Sequence, residues 1–304
     1  MNADQGNSQG NGKQFAYGYG PAIEGPYLDL RTGRGNQLAY ARIQGNINFG
    51  AQKYYWFKGS VMANRPGEKV QDLFGAEGFG VIRLKEFEDG GIQRMARQIG
   101  LITDLRSREI LNEWHNPYID ETVEVVHVAM EPVHYKIEEF FPTPPTYGTV
   151  NGEPPPKIPF VLPWYQHGDW LDMQLNLHMA YPNPLQPDEW PRESAGETAI
   201  ASELFTHHVR ADDMQNPDIT SLDYVGSWSR VTPWLPWMLM GQQAGHCSYV
   251  AFMGTCGHPA DVLSKPVMDY AEKHYGRYFD APESVDGPSL SDLQHYAKDR
   301  KPAR

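Results

Sequence analysis

Between Tyr54 and Pro132 the chain alternates strand-length apolar runs with turn signals at the spacing of an antiparallel meander. The runs are Tyr54–Ala63, Phe79–Phe87, Ile92–Ile102, Glu109–Trp114 and Thr122–Met130. Between them fall Asn64-Arg65-Pro66-Gly67, Asp89-Gly90-Gly91, Asp104–Arg108, and Asn116-Pro117 with Asp120, each carrying turn signals. Period-two patterning repeated this often constrains the fold to a sheet. A sheet of many such strands curls or closes, and its interior can hold a ligand.

Sheet signals resume beyond residue 160. In Trp170–Tyr181, Leu171, Met173, Leu175, Leu177 and Met179 share one face, and Asp172, Gln174, Asn176 and His178 the other. Thr198–Arg210, Tyr224–Val231 and Ser248–Met253 also read as strands. Helical periodicity is confined to a short stretch at Leu38–Ile43, to Pro259–Tyr275 interrupted at Pro266, and to Ser289–Lys298. The expected class is therefore mainly β: a large antiparallel β-barrel or strongly curved sheet, calycin- or lipocalin-like, with a few short helices, mostly C-terminal. Residues 1–20 are glycine-rich and poor in apolar side chains, and read as a disordered or wrapping arm. Residues 21–304 read as a single barrel-like domain with a C-terminal helical appendage. Phe141–Ile158 contains six prolines, which exclude a central strand and a helix interior, so it reads as a surface lid or rim.

Charge narrows the partners. With 38 acidic and 26 basic side chains the formal net charge is -12, and no Lys/Arg cluster occurs, so neither nucleic acid nor an anionic membrane is expected as a partner. No apolar run reaches membrane-spanning length. Met1–Gln14 lacks the basic and apolar regions of a signal peptide. The chain as written thus reads as cytoplasmic, and as periplasmic or secreted where an export signal has been removed. Cys247 and Cys256 lack the spacing of a metal knuckle or redox pair and read as two unpaired core thiols, with one disulfide across a loop as the alternative. Phosphate loops, dinucleotide fingerprints, nucleophile elbows and HExxH pairs are all missing, so no cofactor is expected.

What remains is polar residues in apolar lanes. Along Thr198–Arg210, Glu203 and His207 share a face with Ala199, Ala201, Phe205 and Val209. If that face points inward, a carboxylate and an imidazole stand in a lumen where burial favours acid/base chemistry. A solvent-facing pair on an edge strand would carry the same pattern. His127 shares parity with Val123, Val125 and Ala129, and Arg83 with Val81 and Phe87. His127 is then a third acid/base candidate, and Arg83 an anchor for a ligand oxygen. The aromatic residues Tyr55, Trp56, Trp170, Trp228, Trp234 and Trp237, with His178, are candidates for contact with a flat apolar ligand. No spacing of the eleven histidines supports a metal site.

Phe74–Arg83, Trp114-His115-Asn116-Pro117, Val125–Val133 and Trp234–Gly241 together resemble the family called domain of unknown function 1838, over most of the chain after residue 26. Where family members often have Thr-Gly-Glu after the Asn-Pro, this chain has Tyr118-Ile119-Asp120-Glu121. The resemblance implies no particular reaction, and some relatives carry an export signal. The residues themselves lead to the expectation of a cofactor-independent lyase. It would use acid/base chemistry, by elimination, dehydration or carbon–carbon cleavage, on an apolar or aromatic small molecule in a barrel pocket. A hydratase, an isomerase, or a lipocalin-like carrier with the same lining is the alternative, and a homo-oligomer is left open.

Overall fold

The computed structural model describes residues 25–142 and 157–303. The N-terminal arm and most of the proline-rich loop read from the sequence lie outside the described residues. Eleven strands occur in chain order among the described residues: β1 (Gln52–Asn64), β2 (Gln71–Glu86), β3 (Ile92–Thr103), β4 (Glu113–Asn116), β5 (Glu121–Glu124), β6 (Val128–Ile137), β7 (Trp164–His167), β8 (Trp170–Pro182), β9 (Thr198–Arg210), β10 (Val225–Thr232) and β11 (His246–Cys256). Nine form one sheet, ordered β6-β3-β2-β1-β11-β10-β9-β8-β7, and β4 and β5 form a separate hairpin. Every pairing in the large sheet is antiparallel. The sheet curls into a half-barrel, as the alternation leads one to expect. Among the described residues the two outermost strands do not pair; an isolated bridge joins Phe140, just after β6, to Pro159, just before β7.

Two sequence boundaries are corrected. Strand β2 begins eight residues before Phe79, because Phe74–Gly80 is buried on both faces and shows no alternation. The run Thr122–Met130 is two strands, broken at Val125–His127, and β6 continues through Pro132 to Ile137.

Helix α1 (Gly33–Gln44) fills the upper end of the concave face. It starts where the Thr32 hydroxyl accepts the Gly35 N–H. Its buried face carries Ala39, Tyr40, Ala41 and Ile43 against Phe57, Ile82, Leu84, Leu171 and Met173. Three buried polar residues fasten it. Asn36 donates to the carbonyls of Leu30 and Thr32 and accepts from the Leu162 N–H and the Trp164 indole. Gln37 donates to the carbonyls of Gly90 and Ile137. Arg42 reaches the carbonyls of Asp213, Met214 and Asn216, at and just after the short helix α2 (Ala211–Met214). At the helix C-terminus the Lys53 ammonium donates to the carbonyls of Arg42, Ile43 and Leu222, offsetting the negative end of the helix dipole.

The lower end is closed by the β4–β5 hairpin and the Trp234–Met240 loop, packed on Val61, Phe74, Ile102, Cys247 and Tyr249. Asn116 stitches the two covers together: its amide donates to the Met238 carbonyl at 2.7 Å while its oxygen accepts the Tyr118 N–H. On the convex side α3 (Lys265–Tyr275), with Pro266 in its first turn, covers Phe79, Ile99 and Leu101. Helix α4 (Asp292–Asp299), capped by Ser291, bridges the open side. Its Asp292 pairs with Arg230 on β10, its Tyr296 packs on Trp190, and the residues before it bond to His134 on β6.

The middle of the concave floor is made of glycines. A Cβ at Gly78 would lie 2.2 Å from the Ile99 carbonyl and 2.3 Å from the Phe57 ring. Gly78→Ala is therefore expected to destabilise the fold by about 1–3 kcal/mol. Urea unfolding measures it, and an unchanged midpoint would contradict the close packing.

Candidate functional site

Between the two covers, the inner face presents a charged group beside an aromatic wall. Register brings Glu203 on β9, Arg230 on β10 and Tyr249 on β11 side by side, all pointing inward. Arg230 lies 3.7 Å from Glu203 and 2.8 Å from Asp292, so one guanidinium is shared by two carboxylates. Burial opposes its charge, but Asp292 and Glu203 more than compensate and hold its pKa above the ordinary arginine range. One strand step away, Trp228 packs edge-on to Phe57 (5.3 Å), parallel to Phe205 (6.5 Å) and against Tyr249 (5.4 Å). The Trp228 Nε1–H and the Arg230 Nε–H are both buried without an acceptor among the described residues. Tyr55 completes the wall, donating to Gln98 at 2.6 Å. Burial raises its pKa, with Arg94 opposing and Glu203 reinforcing the shift.

His207 also faces inward, but it sits deeper. It is 2% exposed, against the Tyr224 ring at 4.7 Å, and its Nδ1 lacks a partner among the described residues. Burial, with Lys53 and His208 nearby, pushes its pKa down to about 3, so the ring is neutral. Four residues of extended strand separate it from Glu203, about 13 Å, with Phe205 between them. The two do not form a hydrogen-bonded pair. Lys53 is itself pushed down to about 7 by burial, with Asp223 opposing.

The other sequence candidates lie elsewhere. His127 is on the convex side: its Nδ1 accepts the Ile102 N–H at 3.2 Å and its ring meets Tyr270 of α3. The break between β5 and β6 resets strand parity, so its lane in the sequence does not continue the inward face of β5. Burial, with His274 nearby, lowers its pKa to about 4. There it borders a half-open cavity of about 330 Å³, together with Asn112, Glu124, Tyr270, Tyr275 and Arg300. Arg83 is also on the convex side, bonded to the Gly50 carbonyl, and does not approach Glu203.

Of the aromatic candidates, Tyr55 and Trp228 line the inner face. Trp56 is on the outer face and bonds the Thr255 carbonyl. Trp170 lies at the sheet end beneath Arg210. His178 is exposed on the outer face beside Ser202. Trp234 and Trp237 are buried in the lower cover, where Trp237 packs on Phe74 and Trp114.

Arg230 and Asp292 were not anticipated from the sequence. Arg230 shares parity with Trp228, a usable signal only once β9 and β10 are known to pair. Asp292 comes from a distant helix and carries no local signal.

Among the described residues no helix is long and apolar enough to cross a membrane. Among curated proteins none matches the sequence. Two of the four segments that carry the family resemblance, Trp114–Pro117 and Trp234–Gly241, are joined by Asn116 under the sheet. The model of a protein family of unknown function, DUF1838, matches residues 50–300, and the chain belongs to that family.

Proposed function

We propose that the inner face binds a small apolar or aromatic molecule bearing an oxygen acceptor and acts on it by acid/base chemistry without an organic cofactor. The observation that carries this reading is the Glu203–Arg230–Asp292 group set against Trp228, with two buried donors lacking acceptors. Two carboxylates share one cation, so net negative charge remains for proton abstraction. In this reading Glu203 removes a proton from the carbon next to a carbonyl or phenol. The C–H electron pair forms the new double bond as the leaving group departs from the neighbouring carbon. Negative charge growing on the ligand oxygen is met by the Arg230 Nε–H and the Trp228 Nε1–H, donors already in place. Elimination fits this scheme directly, and so does dehydration, in which the departing hydroxyl takes the proton that Glu203 removed. Carbon–carbon cleavage instead begins with Glu203 taking the proton of a hydroxyl on the carbon beyond. The O–H pair of that hydroxyl becomes the new carbonyl while the C–C pair moves onto the carbon beside the ligand's own carbonyl. His127 has no part in it, and His207 shapes the apolar end.

A carrier is the second reading. It is favoured by the depth and neutrality of His207, which leave Glu203 without a titrating imidazole beside it.

The test is a panel of hydroxylated and carbonyl-bearing aromatic compounds, with binding followed by Trp228 fluorescence and products by mass. Glu203→Gln is expected to keep binding and lose turnover on the order of 100-fold or more. Arg230→Met is expected to weaken binding and turnover together. A bound compound recovered unchanged from the native protein would leave the carrier reading, and absence of binding across the panel would overturn both.

A further inference from the structure

The opposite face of the same sheet carries a feature that the inner site does not use. Over β9, β10 and β11 the convex side is bare among the described residues, and six large apolar side chains point from it. Phe252 is 75% exposed, Ile200 64%, Val225 56% and Val250 51%, with Val231 and Leu204 only slightly less so. Helix α3 covers the convex side only nearer β2 and β3. The six leave on the order of 600 Å² of apolar surface open, at the top of what a monomer's largest patch normally reaches.

The apolar residues are interspersed with small hydroxyl residues. Across the strands, Leu204 is followed by Ser229 and then Val250, Thr206 by Ser227 and then Phe252, and Ser202 by Val231 and then Ser248. Large apolar residues therefore stand beside small hydroxyl residues, strictly alternating along β9 and across two of the three rows, giving knobs beside hollows. None of these positions is charged. The nearest ammonium, Lys58 on β1, is held 3.2 Å from the buried Glu77 carboxylate.

We propose that this face pairs with the same face of a second copy of the chain, sheet on sheet. The absence of positive charge disfavours nucleic acid and an anionic bilayer, both of which need Lys or Arg at the contact. An uncharged sheet face with apolar knobs beside small hydroxyl residues is suited to its own image, because a two-fold rotation can set each copy's knobs against the other's small residues. Two such patches bury on the order of 1,200 Å², the lower end of the range for specific stable interfaces. The pairing would leave both inner faces open to ligand, since they are on the far sides of the two sheets.

Sedimentation of the full chain over about 1–100 µM tests it. The expected mass is twice that of the 34.4 kDa chain. Phe252→Asp is expected to give the monomer, and the milder Phe252→Ser a dimer at least tenfold weaker, both with unchanged circular dichroism. The wild-type side chain is solvent-exposed in the monomer, so neither substitution disturbs a core. A native chain that is monomeric throughout the range overturns the proposal, whether or not it floats with neutral lipid vesicles. Persistence of the dimer at native strength in the Phe252→Ser protein also overturns it.

Discussion

Lowering the pH from 6.5 to 4.5 is expected to remove about 5 kcal/mol of folding stability through two histidines alone, a large part of what a domain of this kind possesses. His207 and His127 are held neutral by burial, with folded-state values of about 3 and about 4. An unfolded histidine titrates near 6.5. Between these limits the unfolded chain binds more protons than the folded one, so stability falls with pH. The contribution is complete above pH 6.5, and it is lost as the pH drops toward the folded-state values. Urea midpoints at the two pH values measure the loss. His207→Gln should make the decline shallower by about half, since His127 then acts alone. A difference below about 1 kcal/mol between the two pH values in the native protein would show that neither ring is held neutral.

The second large effect is expected at Asn36. Its side chain is fully buried and all four of its hydrogen-bonding positions are used, two as donor and two as acceptor. Asn36→Ala strands the Leu30 carbonyl, the Leu162 N–H and the Trp164 indole N–H away from water, while the Thr32 carbonyl keeps the backbone N–H of residue 36. A loss of about 3–5 kcal/mol follows from the cost of such orphans. Asn36→Asp is expected to be worse despite its matching shape, because it turns a carboxylate oxygen toward the carbonyls of Leu30 and Thr32. Asn176→Ala, on the exposed outer face of β8, is the control and should change stability by less than about 0.5 kcal/mol. Equal midpoints for Asn36→Ala and the control would remove Asn36 as a tie between helix and sheet.

Much of the sheet was legible because alternation survives wherever one face is buried and the other is not. Strands β8 and β9 show this most clearly: Leu171 and Met173, and Ala199, Ala201, His207 and Val209, are buried in the parity read from the sequence. Strand β2 was shortened because Phe74–Gly80 is covered on both sides, and its glycines make room for aromatic rings from β1. The site was only half legible. Glu203 lies on a long unbroken strand, where counting by two carries a face reliably from end to end. His127 lies past a break, where it does not. Arg230 and Asp292 join Glu203 through pairings between distant segments, and no local pattern encodes those. Helix α1 was seen as a shorter element because Asn36 and Gln37, near its start, look like surface residues until their backbone partners are in view.

The position of α1 has a consequence for how the protein fails. Strands β6 and β7 end the sheet on either side, and side-chain amides of the helix take up polar groups beside both, the Ile137 carbonyl and the Leu162 N–H. Were the helix to detach while the sheet persisted, the ends of both outer strands would lose a polar partner together on one molecule, although β6 would keep the bonds of His134 to Gly287 and Ser289. Exposed strand borders pair with those of neighbouring chains. A molecule with two of them is bifunctional in the polymer chemist's sense, able to extend in both directions. Partial loosening of one short helix would then lead to fibrous assembly before the rest of the chain unfolds.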